Sequence, residues 1–131
     1  MARKSKTRFN ELKELFKTLH GPKGCLWDKK QTHKSLIPYL KEETAEFIAA
    51  LRSNKPQCIK EELGDILLQV MFHSQIASKE GWFDIEDVVA SLISKLKRRH
   101  PHVFSGVKVK STHQIIRNWN KIKILEKSGR F

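Results

Sequence analysis

The sequence predicts an all-α protein, and three observations lead to that fold class. Apolar residues recur at steps of three and four, clusters of Pro and Gly cut the chain into helix-length segments, and strand patterns are nearly absent. The 131 residues suit a single domain with a modest core, which we expect to span residues 1–131. We therefore expect a helical bundle of about five helices.

The predicted helices follow one another with short interruptions. They span residues 7–20, 35–53, 56–79, 85–99 and 112–127. Pro38 and Pro56 suit the first turns of the second and third helices, where amide donors lack intrahelical partners. Asp84 and Ser111 are suitable N-caps for the last two. Between the helices, CLWDKKQTHKS is predicted as a loop and RHPHVFSGVKVK as a loop or short extended segment.

The composition favours a soluble intracellular protein with an excess of positive charge. The 26 Lys and Arg outnumber the 14 Asp and Glu, which gives a formal charge of +12. Such a balance suits polyanionic partners, although it also suits a surface kept soluble by lysine. The sequence contains neither a membrane-length apolar run nor a signal peptide, so we expect a cytoplasmic protein without membrane contact. Cys25 and Cys58 are expected to be reduced thiols.

Acidic residues are concentrated on two consecutive helices. Glu43 and Glu46 are neighbours on a face of the second helix that adjoins its apolar face, and Glu43 lies at the border between the two. The third helix is apolar around most of its circumference, so we expect it to be largely buried. It nevertheless carries a narrow polar stripe, whose members lie three and four residues apart: Glu62, Asp65, Gln69 and His73.

Buried carboxylates need compensation, because desolvating like charges at helical spacing is costly. Protein cations, a bound metal or protonation would each provide it. A metal held by carboxylate oxygens alone would be Mg²⁺, or Mn²⁺ as an alternative, rather than zinc. A structural ion-pair cluster explains the same residues about equally well, and no phosphate-binding glycine loop is present.

The motifs also resemble a known family. The succession of CLWDKKQTHKSLIPYLKEETAEFIAAL, EELGDILLQVMFHSQIA, KLKRRHPHVF and W-N-K-I-K-x-x-E-K is similar to the MazG family of nucleoside triphosphate pyrophosphohydrolases. The similarity extends from about Leu12 to Lys127. The defining acids of that family, ExxE followed by ExxD, fall on Glu43-x-x-Glu46 and Glu62-x-x-Asp65.

The resemblance implies a fold, a metal site and a reaction. Two antiparallel helices would bring Glu43, Glu46, Glu62 and Asp65 around Mg²⁺, in a MazG-like bundle completed by a homodimer or a higher homo-oligomer. A metal-activated water would attack the α-phosphorus of a nucleoside triphosphate and release the monophosphate and pyrophosphate.

The resemblance also assigns roles to individual side chains. Residues that contact the nucleotide fall on Lys95 and Arg99 of the fourth helix and on Trp119 and Lys123 of the fifth. The residues themselves are compatible with those roles, since Lys95 and Arg99 are one turn apart and Trp119 offers a stacking surface. Helix-end complementarity and core packing would explain them as well.

A further pair of acids lies beside the metal ligands. Glu42 or Glu61 would orient the attacking water or accept its proton, and the sequence does not choose between them.

One departure and two alternatives remain. Leu26 occupies the position of the proline in the family's usual Cys-Pro-Trp-Asp loop, which predicts a less rigid loop.

A related all-α enzyme acting on dUTP or phosphoribosyl-ATP would use a similar pair of acidic helices. A non-catalytic nucleic-acid-binding module would use KLKRRH and the basic N-terminus for phosphate contacts, but would leave the acidic stripe unexplained.

Overall fold

The computed structural model describes residues 7–129, and this part of the chain is helical without strands. The all-α prediction is therefore confirmed. The helices are α1 (Arg8–Leu19), α2 (Leu26–Lys30), α3 (Ile37–Ser53), α4 (Pro56–Lys79), α5 (Ile85–Arg99), α6 (Pro101–Phe104) and α7 (Thr112–Lys127). The first six residues of the basic N-terminus and the last two of the tail lie outside the described part.

The helix boundaries follow the local signals in the sequence. Pro56 is the first residue of α4, as predicted, and Pro38 lies in the first turn of α3. The hydroxyl of Ser111 caps α7 by accepting a hydrogen bond from the Gln114 amide at 3.3 Å. Thr7 caps α1 in the same way, with Asn10 as its donor at 3.1 Å. These ends form where side chains satisfy amides that the helix itself leaves unpaired.

Two predicted loops each contain a short helix instead. Residues 26–30 form α2, in which the Lys29 amide donates to the Cys25 carbonyl oxygen at 3.0 Å. Residues 101–104 form α6, which begins with Pro101 in its first turn. Helices of one turn are too short to show an apolar period, so the pattern that reveals the long helices does not reveal these.

The core lies where α1 and the segment before α3 pack on the C-terminal half of α4. Phe16, Leu36, Met71, Phe72 and Ile76 form it, and all five are buried. The rings of Phe16 and Phe72 meet edge to face at a centroid distance of 6.2 Å. This cluster fixes one end of α4 and therefore sets the direction in which the rest of the helix projects.

The helices α3 and α4 pack against each other as an antiparallel hairpin. Asn54 ends α3 in the left-handed conformation, with φ at 55°, and only Lys55 separates it from Pro56. Asn tolerates this conformation better than most residues. Because so short a connection reverses the chain, the second half of α3 lies beside the first half of α4.

The expectation that α4 is largely buried is wrong for the part of the helix before Met71, where only Gln69 is buried. Residues 69, 71, 72, 74, 76 and 77 are buried, whereas four apolar side chains nearer the N-terminus are between 39% and 50% exposed. These are Leu63, Leu67, Leu68 and Val70. The aromatic core covers only the C-terminal half, and residues 7–129 leave these apolar side chains partly in solvent.

The chain divides into two compact units, one ending at Ile85 and the other beginning at Glu86. The first holds α1 to α4, and the second holds nearly all of α5 together with α6 and α7. The expectation of one domain over residues 1–131 stays a prediction. No helix between residues 7 and 129 is both long and apolar enough to cross a membrane.

Replacing Leu36 with alanine is expected to lower the free energy of unfolding by about 2–5 kcal/mol, because Leu36 is 1% exposed and the change leaves a cavity in the core. The same change at Leu26, which is 71% exposed, is the matched control and should stay within about 0.5 kcal/mol. Urea unfolding followed by circular dichroism measures both. Equal losses for the two variants would contradict the assigned core.

Candidate metal centre

Four carboxylates converge at the packed pair of helices α3 and α4. Each offers one oxygen, and these oxygens all lie within 4.8 Å of one another. Glu43 and Glu46 come from α3, and Glu62 and Asp65 come from α4. Within each pair the residues are three apart, which places them on one side of their helix. Residues from two antiparallel helices therefore form a single cluster of four acids.

The cluster is electrostatically costly as it stands. Glu43 Oε2 and Glu62 Oε2 are buried and have no hydrogen-bond partner. Burial, followed by the charges of Glu46 and Asp65, raises the pKa of Glu43 to about 6. The pKa of Glu62 is also raised, with burial as the largest cause and the same two charges next. Both carboxylic acids are thus easier to protonate than isolated ones.

Protein cations do not offset this charge. Within residues 7–129, the ion pairs that Lys and Arg form lie elsewhere, and none reaches any of the four acids. Of the three forms of compensation considered for the sequence, a bound cation and protonation therefore remain. A structural ion-pair cluster does not fit these residues.

The donor set fits a hard divalent cation. Four carboxylate oxygens from four side chains can converge on one ion, and two of them lack any other partner. Oxygen ligands of this kind suit Mg²⁺ and Mn²⁺, whereas zinc sites in proteins commonly include His or Cys. The residues present are therefore compatible with the metal that the sequence predicts.

Glu42 and Glu61 lie outside the group of four. Both side chains are exposed, and each precedes one cluster residue by one position and another by four. Glu61 accepts a hydrogen bond from the Gln57 side chain at 3.0 Å. Their assignment to proton transfer stays a prediction.

The predicted nucleotide-binding residues lie in the second compact unit. The Arg99 guanidinium lies over the Trp119 ring, 5.4 Å from its centroid, so these two residues are in contact. Lys95 is half-buried one turn before Arg99 on α5. Lys123 is exposed and lines a shallow depression on α7 with Asn120, Ile124 and Lys127. The direct contact within the predicted set is thus between Arg99 and Trp119.

The sequence did not indicate which residues Arg99 and Trp119 contact. Glu126 accepts hydrogen bonds from Arg98 and Arg99, and the His100 ring meets the Trp119 ring edge to face at 5.0 Å. Glu126 belongs to the W-N-K-I-K-x-x-E-K motif. No local pattern in α7 indicates that its hydrogen-bond partners, Arg99 and Arg98, lie 27 and 28 residues earlier.

The polar stripe of α4 divides into parts with different surroundings. Glu62 and Asp65 join the acid cluster, whereas His73 lies against His33, with their Nδ1 atoms 2.7 Å apart. Burial, and then the nearby His33, lowers the pKa of His73, which favours a neutral ring. Gln69, between the two, is 6% exposed, and its Oε1 has no hydrogen-bond partner. The polar stripe of α4 therefore contributes to two separate groups of side chains, the acid cluster and the His33–His73 pair.

Comparison with known proteins supports the resemblance. Residues 31–104 match the sequence model of the MazG nucleotide pyrophosphohydrolase domain. The chain is 50% identical over 119 residues to the "Nucleoside triphosphate pyrophosphohydrolase/pyrophosphatase MazG" of Thermotoga maritima, covering 91% of this chain and 45% of that protein. It is 38% identical over 122 residues to the "Nucleoside triphosphate pyrophosphohydrolase" of Escherichia coli K12, covering 92% and 46%.

A solved structure gives the same result for the fold. The crystal structure of a mazG-related protein from Thermotoga maritima superposes with a TM-score of 0.69 at 25% identity, covering 88% of this chain and 96% of that one. The chain spans about half the length of the two curated relatives named above.

The acid cluster predicts a metal- and pH-dependent stability. Because the pKa of Glu43 is raised, its protonated form stabilises the fold below its ordinary value of 4.5, and that contribution is lost as the pH rises through about 6. Glu43→Gln should therefore raise the melting temperature of metal-free protein at pH 7.5. Mg²⁺ should raise the melting temperature of the wild type more at pH 7.5 than at pH 5, and much less in the variant.

Differential scanning calorimetry at constant ionic strength measures these shifts. Glu42→Gln is the matched control, since it removes the adjacent exposed charge and should leave the Mg²⁺-induced shift unchanged. A wild type that Mg²⁺ stabilises equally at both pH values would contradict the assignment of Glu43 to the cation site.

Proposed function

Because the chain belongs to the MazG nucleotide pyrophosphohydrolase family, we propose that it hydrolyses nucleoside triphosphates, ribose or deoxyribose, to the monophosphate and pyrophosphate. The observation that carries the proposal is the convergence of four carboxylates within 4.8 Å, with which no Lys or Arg of residues 7–129 forms an ion pair. The relatives from Thermotoga maritima and Escherichia coli support it, since both are named nucleoside triphosphate pyrophosphohydrolases.

We assign Glu43, Glu46, Glu62 and Asp65 as ligands of Mg²⁺, with Mn²⁺ as the alternative. When bound, the ion would neutralise charge on the triphosphate and lower the pKa of a water beside it. The unpartnered oxygens of Glu43 and Glu62 support this assignment, because a cation would satisfy both and relieve the repulsion that raises their pKa values.

The reaction requires a water to attack the α-phosphorus. A new P–O bond forms at that atom, the bond from the α-phosphorus to the bridging oxygen breaks, and pyrophosphate leaves with that oxygen. Glu42 or Glu61 accepts the proton of the attacking water on a carboxylate oxygen. Both are exposed, and each is adjacent in sequence to a cluster residue, which is the support for either choice.

We propose that Lys95, Arg99, Trp119 and Lys123 bind the nucleotide. Arg99 supplies a planar set of N–H donors suited to phosphate oxygens, and Lys95 and Lys123 add positive charge. The contact between Arg99 and Trp119 refines the expected stacking role, since the guanidinium already covers part of the ring. A base would stack on the surface of Trp119 that remains.

We further propose that the chain forms a homodimer through α3 and α4. Apolar side chains on both helices are exposed in the single chain, among them Ile48 and Leu51 on α3 and Leu63 and Leu67 on α4. Adjacent exposed apolar residues of this kind mark surfaces that another protein covers. The expected cytoplasmic location also stays part of the proposal.

Activity is expected to depend on the four acids. Glu62→Gln and Asp65→Asn should each reduce turnover of nucleoside triphosphates at least about 100-fold, because either change removes a charged ligand. Glu80→Gln, at the exposed end of α4, is the control and should retain wild-type turnover. Anion-exchange analysis of products from a panel of triphosphates, with Mg²⁺ or with chelator, measures the reaction.

The products decide between the alternatives. Monophosphate and pyrophosphate that form only with Mg²⁺ support the proposal, and the panel ranks the substrates, including dUTP. Diphosphate and orthophosphate would show attack at a different phosphorus. Salt-sensitive binding of DNA or RNA without any hydrolysis would favour the nucleic-acid-binding alternative instead.

The dimer proposal has its own test. Leu67→Lys places a charge on the exposed apolar face of α4 and should shift sedimentation velocity from dimer to monomer at micromolar concentration. Leu26→Lys, at an exposed position on α2, should leave the dimer intact. A wild-type chain that sediments as a monomer would contradict this proposal.

A further inference from the structure

The carboxylate of Glu126 on α7 binds two arginines of α5 at once. Arg98 Nε donates to Oε2 at 2.7 Å, and Arg99 Nη2 donates to Oε1 at 2.7 Å. Arg99 Nε also donates to the same carboxylate, at 3.2 Å and 3.4 Å. The Glu126 side chain is only 13% exposed, so this pairing is held away from bulk water. These hydrogen bonds compensate the buried charge of Glu126, and they also fix the direction in which the Arg99 guanidinium points.

A guanidinium group presents several edges to its surroundings, and Glu126 occupies one of them. The contacts at Nε and Nη2 use the side edge of Arg99, while its Cζ atom lies over the Trp119 ring, 5.4 Å from the ring centroid. The end edge, made by Nη1 and the outer N–H of Nη2, is left. Within residues 7–129, no group forms a hydrogen bond with Nη1. That edge can receive two oxygens of an oxyanion side by side.

We propose that Glu126 is a positioning residue, which fixes Arg99 so that its Nη1 and Nη2 edge receives oxygens of the triphosphate. The inference rests on the proposed function and names a residue that acts through Arg99 without touching the substrate. Trp119 and Glu126 lie seven residues apart on α7, on one face of the helix, and Arg99 contacts both. Arg99 therefore contacts two residues of the same helix, Glu126 through its side edge and Trp119 through its Cζ atom.

The alternative, in which Glu126 competes with phosphate for Arg99, is less consistent with the contacts. Displacement by a phosphate would leave the Glu126 carboxylate, which is only 13% exposed, without its partners, and such a group is costly to leave unpaired. The side chain hydrogen bond from Arg99 is the largest cause that lowers the pKa of Glu126 to about 2, so the carboxylate stays charged at neutral pH.

The decisive experiment compares Glu126→Gln with wild type in kinetics and in binding. Neutral glutamine keeps the shape but loses the charge that holds two guanidinium groups. KM for the best triphosphate should rise about tenfold with kcat changed less than about threefold. The affinity for inorganic tripolyphosphate, measured by calorimetry with Mg²⁺, should fall by a similar factor. Glu14→Gln, an exposed acid on α1 paired with Lys17, is the charge-matched control and should change neither.

A double-mutant cycle distinguishes positioning from a general structural role. Arg99→Ala should weaken tripolyphosphate binding, and adding Glu126→Gln to it should cause little further loss, because Glu126 acts through Arg99. A full additional tenfold loss in that background would overturn the proposal. The proposal would also be overturned if Glu126→Gln bound tripolyphosphate as tightly as wild type or more tightly. Tighter binding is the result expected if Glu126 competes with the anion for Arg99.

Misfolding of the variant and failure of the proposed triphosphate hydrolysis can each be distinguished from failure of the positioning role. If Glu126→Gln loses its helical circular dichroism, Glu126→Asp replaces it, and the shorter charged side chain should give an intermediate affinity, whereas wild-type affinity would overturn the inference. Wild-type protein without triphosphate turnover would contradict the proposed function. The tripolyphosphate measurement would still decide whether Glu126 positions Arg99.

Discussion

Mutual repulsion among four carboxylates is the constraint around which the first unit is built. Their oxygens lie within 4.8 Å, and no lysine or arginine of residues 7–129 pairs with them. The packing of α3 against α4, and the aromatic core at the far end of α4, provide the stability that holds them together. Such a cluster costs stability until a cation or protons arrive, and binding of the proposed metal would offset that cost.

Helix α4 connects the acid cluster to the hydrophobic core, because each of its two ends contributes to one of them. The C-terminal half carries Phe72 and Ile76 into the core, while the N-terminal half presents Glu62 and Asp65 to α3 and leaves Leu63 partly exposed. One continuous helix thus joins an anchored end to a charged end. The rigid backbone of α4 keeps Glu62 and Asp65 in a fixed position relative to the anchored end.

The two units handle buried acid in opposite ways. In the first, neighbouring carboxylates and burial raise the pKa of Glu43 to about 6. In the second, two arginines lower the pKa of Glu126 to about 2. The chain has a formal charge of +12, yet no Lys or Arg of residues 7–129 pairs with the four acids. This difference in pairing is consistent with the two roles proposed above, metal binding for the four acids and positioning for Glu126.

The sequence by itself determined the helical class, the long helices, and the placement of Glu43, Glu46, Glu62 and Asp65 on helix faces, because period, caps and prolines act over a few residues. The resemblance of the chain to the MazG family also follows from these local motifs. Only the tertiary structure decided that Glu126 holds Arg99, that the rings of His33 and His73 stack, and that α4 is buried at one end alone. Those contacts join residues 27 and 40 positions apart, and their formation depends on how whole helices pack rather than on any local pattern.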